Sequence, residues 1–372
     1  MRIGKLTLDG YMNYGNLLQN YALQEVLLPY ADTVETIWHS PDNFLPKAFW
    51  KWGWKEPIKY LINWKKYRTN FQNGHNGMEM VRQGKLRDWA DRYIHFRYGV
   101  NQLQDIADEY DYFVTGSDQV WNPYFNDINY LRANFLLFAP SEKRISYAAS
   151  ISSPVIPKEE LPVYKQGFEG MHGLSVREKA GADLVKQISG RDAEVHVDPT
   201  LLLTSEEWDK VSRKPAWYHG GEYILTYILG DRPNSAIQKF AEKAGLPVVN
   251  LLDTKVYGHY VTGVDEFLWA IKHASLMYTD SFHGTVFSIL YRTPFVVCNR
   301  LGNEVTEKMP SRIDTLLGLF GLEDRRGTQD NDYRSSRPMD APDWSDLDVV
   351  LEEERKRSET YLDRMHGVTK KD

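Results

Sequence analysis

The feature that most constrains this chain is an alternation of short apolar strand signals with helical periodicity, run through twice. Residues 2–8 alternate as a strand, and residues 16–28 read as a helix. Leu17, Tyr21 and Leu28, and Leu18, Ala22 and Val26, recur at spacings of four and seven. The loop between them, 9–15, is rich in Gly and Asn, with Asn16 read as the helix cap. Further strands are expected at 112–115, 144–151 and 195–197. A polar stretch at 205–222, broken by a Pro and two Gly, marks a boundary. The rhythm then restarts, with strands expected at 223–229, 247–252, 276–279 and 294–298 and helices at 234–244, 265–275 and 285–291. A polar loop at 329–345 precedes a charged helix at 347–365. Alternating strands and helices specify parallel α/β layers. At 372 residues the chain is more than twice the ~150-residue domain prior, so two domains are expected, 1–212 and 213–372. Open parallel sheets bind ligands at the carboxyl ends of their strands. Each strand-then-loop junction is therefore a candidate site.

Composition narrows the function. Lys and Arg number 45 against 51 Asp and Glu, a net charge of −6, which argues against a nucleic-acid binder. No apolar run approaches the ~18 residues that span a bilayer. The first ten residues lack a secretory-signal layout and read directly as a strand. A single cysteine, Cys298, excludes an internal disulfide framework and fits a reducing cytoplasm; its apolar neighbours suit a buried thiol. There is no Walker loop, no GxGxxG after the first strand, no HExxH and no paired-Cys motif, and the ten histidines show no metal-ligand spacing. Neither a metal nor a bound cofactor is expected.

Three junctions carry side chains with chemistry. The first is Asp280-Ser281-Phe282-His283-Gly284-Thr285, where a strand runs into a helix. Helix N-termini offer unpaired N–H groups to phosphate, and His283 beside them could donate a proton or simply cap the helix. The second is Gly116-Ser117-Asp118-Gln119-Val120-Trp121-Asn122. Asp118 is a candidate base for a sugar hydroxyl and Trp121 a stacking face, or else the pair is a cap and a core tryptophan. The third is Ser175-Val176-Arg177-Glu178, in which Arg177 suits capture of a phosphate or carboxylate, or forms a surface pair with Glu178. One compositional outlier remains. Segment 47–68 holds Trp50, Trp52, Trp54 and Trp64 among six Lys and Arg68, against Glu56 alone. It reads either as a dock on an anionic membrane surface or as a lid packed on the first domain.

Taken together these motifs resemble the polysaccharide pyruvyl transferase family. The resemblance is carried by Asn13-Tyr14-Gly15-Asn16 with Gln19 and Tyr21-Ala22-Leu23-Gln24, by the Gly116 to Asn122 and Ser175 to Glu178 strings, and by Val197-Asp198-Pro199-Thr200-Leu201-Leu202. It continues through Asp280 to Gly284 and Arg312-Ile313 with Leu316-Leu317 and Gly321-Leu322, six matches in order over nearly the whole chain. The resemblance implies a fold similar to GT-B glycosyltransferases, with two Rossmann-like doubly wound domains facing a central cleft, acceptor side first and donor side second. It implies transfer of pyruvate from phosphoenolpyruvate, as co-substrate, to a sugar as a cyclic ketal. Arg177 and His283 then look like donor-binding residues, with His283 the proton donor and Asp118 the base. The substrate-binding set expected around them is Asn13, Gly15, Asn16, Gly116, Ser117, Gln119, Trp121, Ser281, Gly284, Thr285 and Arg312. Better-studied members carry Arg two residues before the His, where this chain has Ser281, and Arg312 or Arg300 is the replacement cation. That departure keeps open a nucleotide-sugar glycosyltransferase and a non-catalytic glycan- or lipid-binding protein. The acceptor implied is a glycan of a bacterial capsule or exopolysaccharide, free or on a polyprenyl-diphosphate carrier. This would place a cytoplasmic enzyme on the inner membrane face.

Overall fold

The computed structural model describes residues 1–8, 10, 13–38, 75–124, 127–230, 235–300, 311–327 and 338–367. Segment 47–68, read as dock or lid, lies outside them. Strand β1 (Arg2–Leu6) opens a parallel sheet with β2 (Thr33–Ile37), β3 (Phe96–Arg97), β4 (Tyr112–Thr115) and β5 (Arg144–Ser146), ordered β3-β2-β1-β4-β5. Parallel bridges from Ile145 to Gly173 and from Ala149 to Val176 continue it into β6 (Ser175–Val176), which pairs with β7 (Glu194–Val195). A second parallel sheet holds β8 (Ile224–Tyr227), β9 (Val248–Asn250), β10 (Leu276–Thr279) and β11 (Phe295–Val297) in the order β11-β10-β8-β9. The architecture is α/β with parallel sheets, as the alternation required.

Both faces of each sheet are covered, because successive strand side chains point to opposite sides. In the first sheet Ile3, Val34 and Val114 pack with Leu23 and Leu27 of the helix Tyr14–Leu27. Leu6, Ile37 and Phe113 pack on the other face with Val163, Tyr164 and Phe168 of the helix Leu161–Glu169. In the second sheet Leu225, Met277 and Phe295 meet Phe267 and Phe287, while Ile224, Leu276 and Val296 meet Ile237 and Ala241. The helix Tyr14–Leu27 joins the two sheets, its Tyr14, Leu17, Leu18 and Ala22 packing into the core of the second. Tyr14 stacks on Phe267 with ring centroids 4.3 Å apart and lies 5.2 Å from Tyr227. Each such ring pair adds about 0.5–1.5 kcal/mol to its burial.

Three boundaries differ from expectation for local reasons. Asn13, not Asn16, caps the helix Tyr14–Leu27: its backbone is extended and its side chain accepts from the Asn16 N–H. Strand β5 stops at Ser146, because Ala148 takes a left-handed backbone (φ 46°) that breaks the ladder. The helix after β10 runs Phe282–Leu290, starting three residues early because Ser281 caps it, and His283 therefore lies in its first turn.

The last helix, Leu347–His366, begins against the core of the second sheet, through Leu347 and Leu351, and ends on the first. Its buried residues Leu347, Leu351, Glu354, Ser358, Tyr361 and Leu362 recur every three or four positions, one stripe of a helix. Tyr361 and Leu362 join Ile3, Val34 and Val114, and the Tyr361 hydroxyl donates to the Ser146 carbonyl at 2.7 Å. Among the described residues no helix is long and apolar enough to cross a membrane.

Beside this helix sits His196, 1% exposed, with Nδ1 3.3 Å from Ser358 Oγ and its ring 4.9 Å from that of Tyr361. Burial pushes its pKa down to about 4; Glu194 opposes the shift while Arg357 and Arg364 reinforce it. The unfolded chain therefore binds more protons than the native one between about pH 4 and 6.5. Stability is fully present above pH 6.5 and falls as pH drops through this window, by on the order of 3 kcal/mol. Denaturant unfolding of His196→Asn should show a flatter pH dependence over the same range. A slope equal to wild type would assign the acid sensitivity elsewhere.

Candidate functional site

Parallel strands end on one edge, and four of those ends deliver side chains to a single point. Ser117 and Asp118 follow β4, Arg177 follows β6, Asp198 stands three residues beyond β7, and His283 lies just past β10. Asp198 is the meeting place. Its Oδ2 accepts from Arg177 Nη1 at 2.6 Å and from Ser117 Oγ at 2.8 Å, and lies 3.6 Å from His283 Nε2. That last separation is a charge contact rather than a hydrogen bond. Oδ1 accepts from the Thr200 N–H at 3.1 Å and Thr200 Oγ1 at 2.7 Å. Asp198 is 1% exposed. Burial favours its neutral form, but His283, Arg177 and Thr200 outweigh that and hold the carboxyl far below the usual range. Arg177 is equally buried and is held above its ordinary value by Asp198 and by Asp118, whose Oδ1 lies 3.4 Å from Nη2.

Close backbone packing sets the histidine. Ser281 Oγ accepts the Gly284 N–H at 3.3 Å, and the Ser281 carbonyl accepts both the N–H and Oγ1 of Thr285 at 3.0 Å. A Cβ on Gly284 would lie 2.7 Å from Thr279 Oγ1, so glycine lets the helix sit flush on β10. The ring of His283 lies against Gly15 in the first turn of Tyr14–Leu27, where a Cβ would come within 2.1 Å of Nδ1. Asn13 caps that turn, and Asn16 Nδ2 donates to the Gly10 carbonyl at 3.1 Å. His283 Nε2 is buried with no hydrogen-bond partner among the described residues.

Two guanidinium groups flank Phe282. The Cζ of Arg177 lies 4.4 Å from its ring centroid and that of Arg312, on the helix Ser311–Phe320, lies 5.9 Å away. Arg312 is pushed down to about 10 by burial and by the neighbouring Arg177 cation, and its Nε has no partner among the described residues. Arg177, Arg312, Phe282 and Asp198 line a cavity of about 220 Å³ together with Glu354 and Arg357. Arg300, the other cation expected, has Nε 3.9 Å from Asp280 Oδ2 and lies near enough to Arg312 to help push it down; Asp280 itself accepts the N–H groups of Leu229 and Gly230 at 2.7 and 2.8 Å.

Several expected site residues do other work. Trp121 is fully buried: it stacks on Phe135 (4.9 Å, 19°) and donates Nε1–H to the Asn134 carbonyl, so it is a core tryptophan and not a sugar-stacking face. Gln119 accepts from Asn122 Nδ2 and braces the turn. Gly116 takes a positive φ of 122°, where a Cβ would strike the Tyr147 carbonyl. Thr285 is buried and bonded within its own helix. Gly284 offers no free donor, since Ser281 takes its N–H; the first-turn N–H groups of Phe282 and His283 remain. Glu178 is no surface partner of Arg177 but accepts from Ser150 Oγ and the N–H groups of Ile151 and Ser152. Asp198 itself was missed. Its signal was an Asp-Pro-Thr string directly after a strand. Gln19, whose Oε1 accepts the Ser117 N–H at 3.1 Å, was also missed as a site support.

Gly15→Ala tests the packing directly. It should displace the His283 ring and cost roughly 10²-fold in turnover with little change in fold, read by steady-state kinetics and circular dichroism. Wild-type turnover would show that the ring does not need this cradle.

Against known proteins, the family model for polysaccharide pyruvyl transferase matches residues 13–302. That span runs from the Asn13 cap through His283 and stops short of Arg312 and the last helix. No curated protein was found to match the chain. Among solved structures, one assigned as a UDP-N-acetylglucosamine 2-epimerase from Listeria monocytogenes is similar at TM-score 0.47 and 11% identity, over 96% of this chain and 91% of that one. The UDP-GlcNAc 2-epimerase from Neisseria meningitidis, solved with UDP-GlcNAc bound, is similar at TM-score 0.45 and 8% identity, over 96% and 94%. The family match covers well over half of the sequence and holds Ser117, Asp118, Arg177, Asp198 and His283 together, so the chain belongs to the polysaccharide pyruvyl transferase family.

Proposed function

We propose that this transferase takes its pyruvyl group from phosphoenolpyruvate and sets it as a cyclic ketal across two hydroxyls of a glycan acceptor, releasing phosphate. The observation that carries the reading is that His283 and Arg177 meet at the buried Asp198, with Asp118 on the other side of the Arg177 fork and Arg312 beside Arg177 across Phe282. Phosphoenolpyruvate brings a phosphate and a carboxylate. Arg177 spends most of its charge on Asp198 and Asp118, whereas Arg312 has no ion pair among the described residues and is the cation left for the donor. The Phe282 and His283 N–H groups add donors.

In the first step a sugar hydroxyl oxygen bonds to C2 while the Nε2 proton of His283 moves to C3, turning CH₂ into CH₃. Asp118 takes the hydroxyl proton. Asp198 is the counter-charge that orients the imidazole and Arg177 together. In the second step the other hydroxyl attacks C2 and the C2–O bond to phosphate breaks, the electron pair leaving with phosphate. Asp118 returns its proton to the departing phosphate, and His283 recovers one from the second hydroxyl. Both groups end as they began.

We take the acceptor to be a capsule or exopolysaccharide glycan, free or as its lipid-linked precursor. Segment 47–68, with four Trp, six Lys and Arg68, has the composition to hold the enzyme at the bilayer carrying such a precursor.

A phosphate-release assay with phosphoenolpyruvate and acceptor tests the reading. His283→Asn should lose about 10²–10⁴-fold in turnover with donor affinity nearly kept. Arg312→Met should instead raise the donor KM, by roughly ten- to a hundredfold for a lost charged hydrogen bond of about 1.5–3 kcal/mol. Full turnover in His283→Asn, or phosphate release that ignores phosphoenolpyruvate, would sink it.

A further inference from the structure

The loop that carries Asp198 is gripped from outside the matched family region, by the last helix. Arg357 Nη2 donates to the Val195 carbonyl at 2.9 Å, three residues before Asp198. Arg355 donates from Nε to the Leu202 carbonyl at 3.0 Å and from Nη2 to the Leu203 carbonyl at 3.4 Å, just beyond it. Between these, the Tyr147 hydroxyl lies 3.3 Å from the Val197 carbonyl and donates to Ser358 Oγ at 2.9 Å, while Ser358 Oγ meets His196 Nδ1 at 3.3 Å. Three carbonyls flanking Asp198, of Val195, Leu202 and Leu203, are thus held by Arg357 and Arg355, and Ser358 holds the Tyr147 hydroxyl and the His196 ring beside them.

We propose that Arg355, Arg357 and Ser358 of the helix Leu347–His366 are positioning residues of the reaction centre. They fix the backbone on both sides of Asp198 and so set where its carboxylate meets Arg177 and His283. The proposal rests on the role given above to the Asp198 cluster. It does not depend on the identity of the donor.

Three further observations point the same way. Asp198 Oδ2 serves Arg177, Ser117 and His283 at once, so a backbone shift of a few tenths of an ångström moves all three partners. Among the described residues the Asp198 loop has no strand neighbour beyond β7, which is the edge of the β6-β7 ladder. Loop backbone at such an edge needs other partners for its carbonyls, and the last helix supplies them. Finally, Glu354 and Arg357, paired with each other, line the same cavity as Arg177, Asp198, Phe282 and Arg312, so the helix is a wall of the site and not a remote brace.

The test is the double variant Arg355→Met with Ser358→Ala in the full-length protein, with the single variant Arg355→Lys alongside. The lysine keeps the charge but cannot reach both carbonyls as the guanidinium fork does. The first readout is the side-chain ¹⁵N spectrum of selectively labelled histidine, with His283 assigned from His283→Asn; it needs no substrate. The second is the split of kcat against KM in phosphate release. The expected result is a shift of the His283 resonances in both variants and a kcat lower by about 10–100-fold with donor KM within threefold. A fall in melting temperature with wild-type His283 resonances would make the helix merely structural and overturn the proposal. If phosphoenolpyruvate proves not to be the donor, the reading of function fails on the assay while the spectrum still decides this one.

Discussion

The fold of the site depends on one buried carboxylate. A charge held at the 1% exposure of Asp198 costs several kcal/mol to desolvate, and it is kept only if its lone pairs are filled. Here they are filled by Arg177, Ser117 and both donors of Thr200, with His283 within charge contact. Those partners come from β4, β6, the loop after β7 and the second sheet. The carboxylate therefore ties together segments that have no reason to meet otherwise. Removing it would leave the Arg177 guanidinium buried against Phe282 with only the more distant Asp118 for charge.

The second constraint is room. Glycine at 15 and at 284 lets two helix starts close on the same histidine, one lying along β10 and the other facing the ring. The shared aromatic core of Tyr14, Tyr227 and Phe267 then fixes the first helix of one sheet against the second sheet. Catalytic geometry and inter-sheet packing use adjacent residues: Tyr14 packs and Gly15 yields. The Ser281 hydroxyl is spent on the helix cap, and the guanidinium of Arg312 reaches the neighbouring Phe282 from a later helix.

Much of this could be read from the chain. The alternation of strand and helix signals gave the parallel layers, and β4 and β10 fall where the sequence places them. His283, Arg177 and Asp118 drew attention as polar residues just after apolar strands, whereas Arg312, on a helix, was named only through the family resemblance. What was not legible has a common physical cause. Trp121 looks the same in sequence whether it stacks on a sugar or on Phe135, since only burial separates the two. Asp198 is defined by partners far along the chain, Ser117 and Arg177, which no local pattern reveals. Strand β7 was expected at 195–197 and falls at Glu194–Val195, because two residues leave periodicity little to fix a boundary with. The return of the last helix to the first sheet is a tertiary choice made by Tyr361 and Leu362.

The most direct measurement of the central claim is kcat/KM for phosphate release by a folded Asp198→Asn variant, with phosphoenolpyruvate and a glycan acceptor. Asparagine keeps the shape and removes the charge that Arg177 and His283 share. The account expects a loss of about 10²–10³-fold, the rate equivalent of breaking a buried ion pair by removing one partner. Activity within a few-fold of wild type would contradict it and move the organising role to another group.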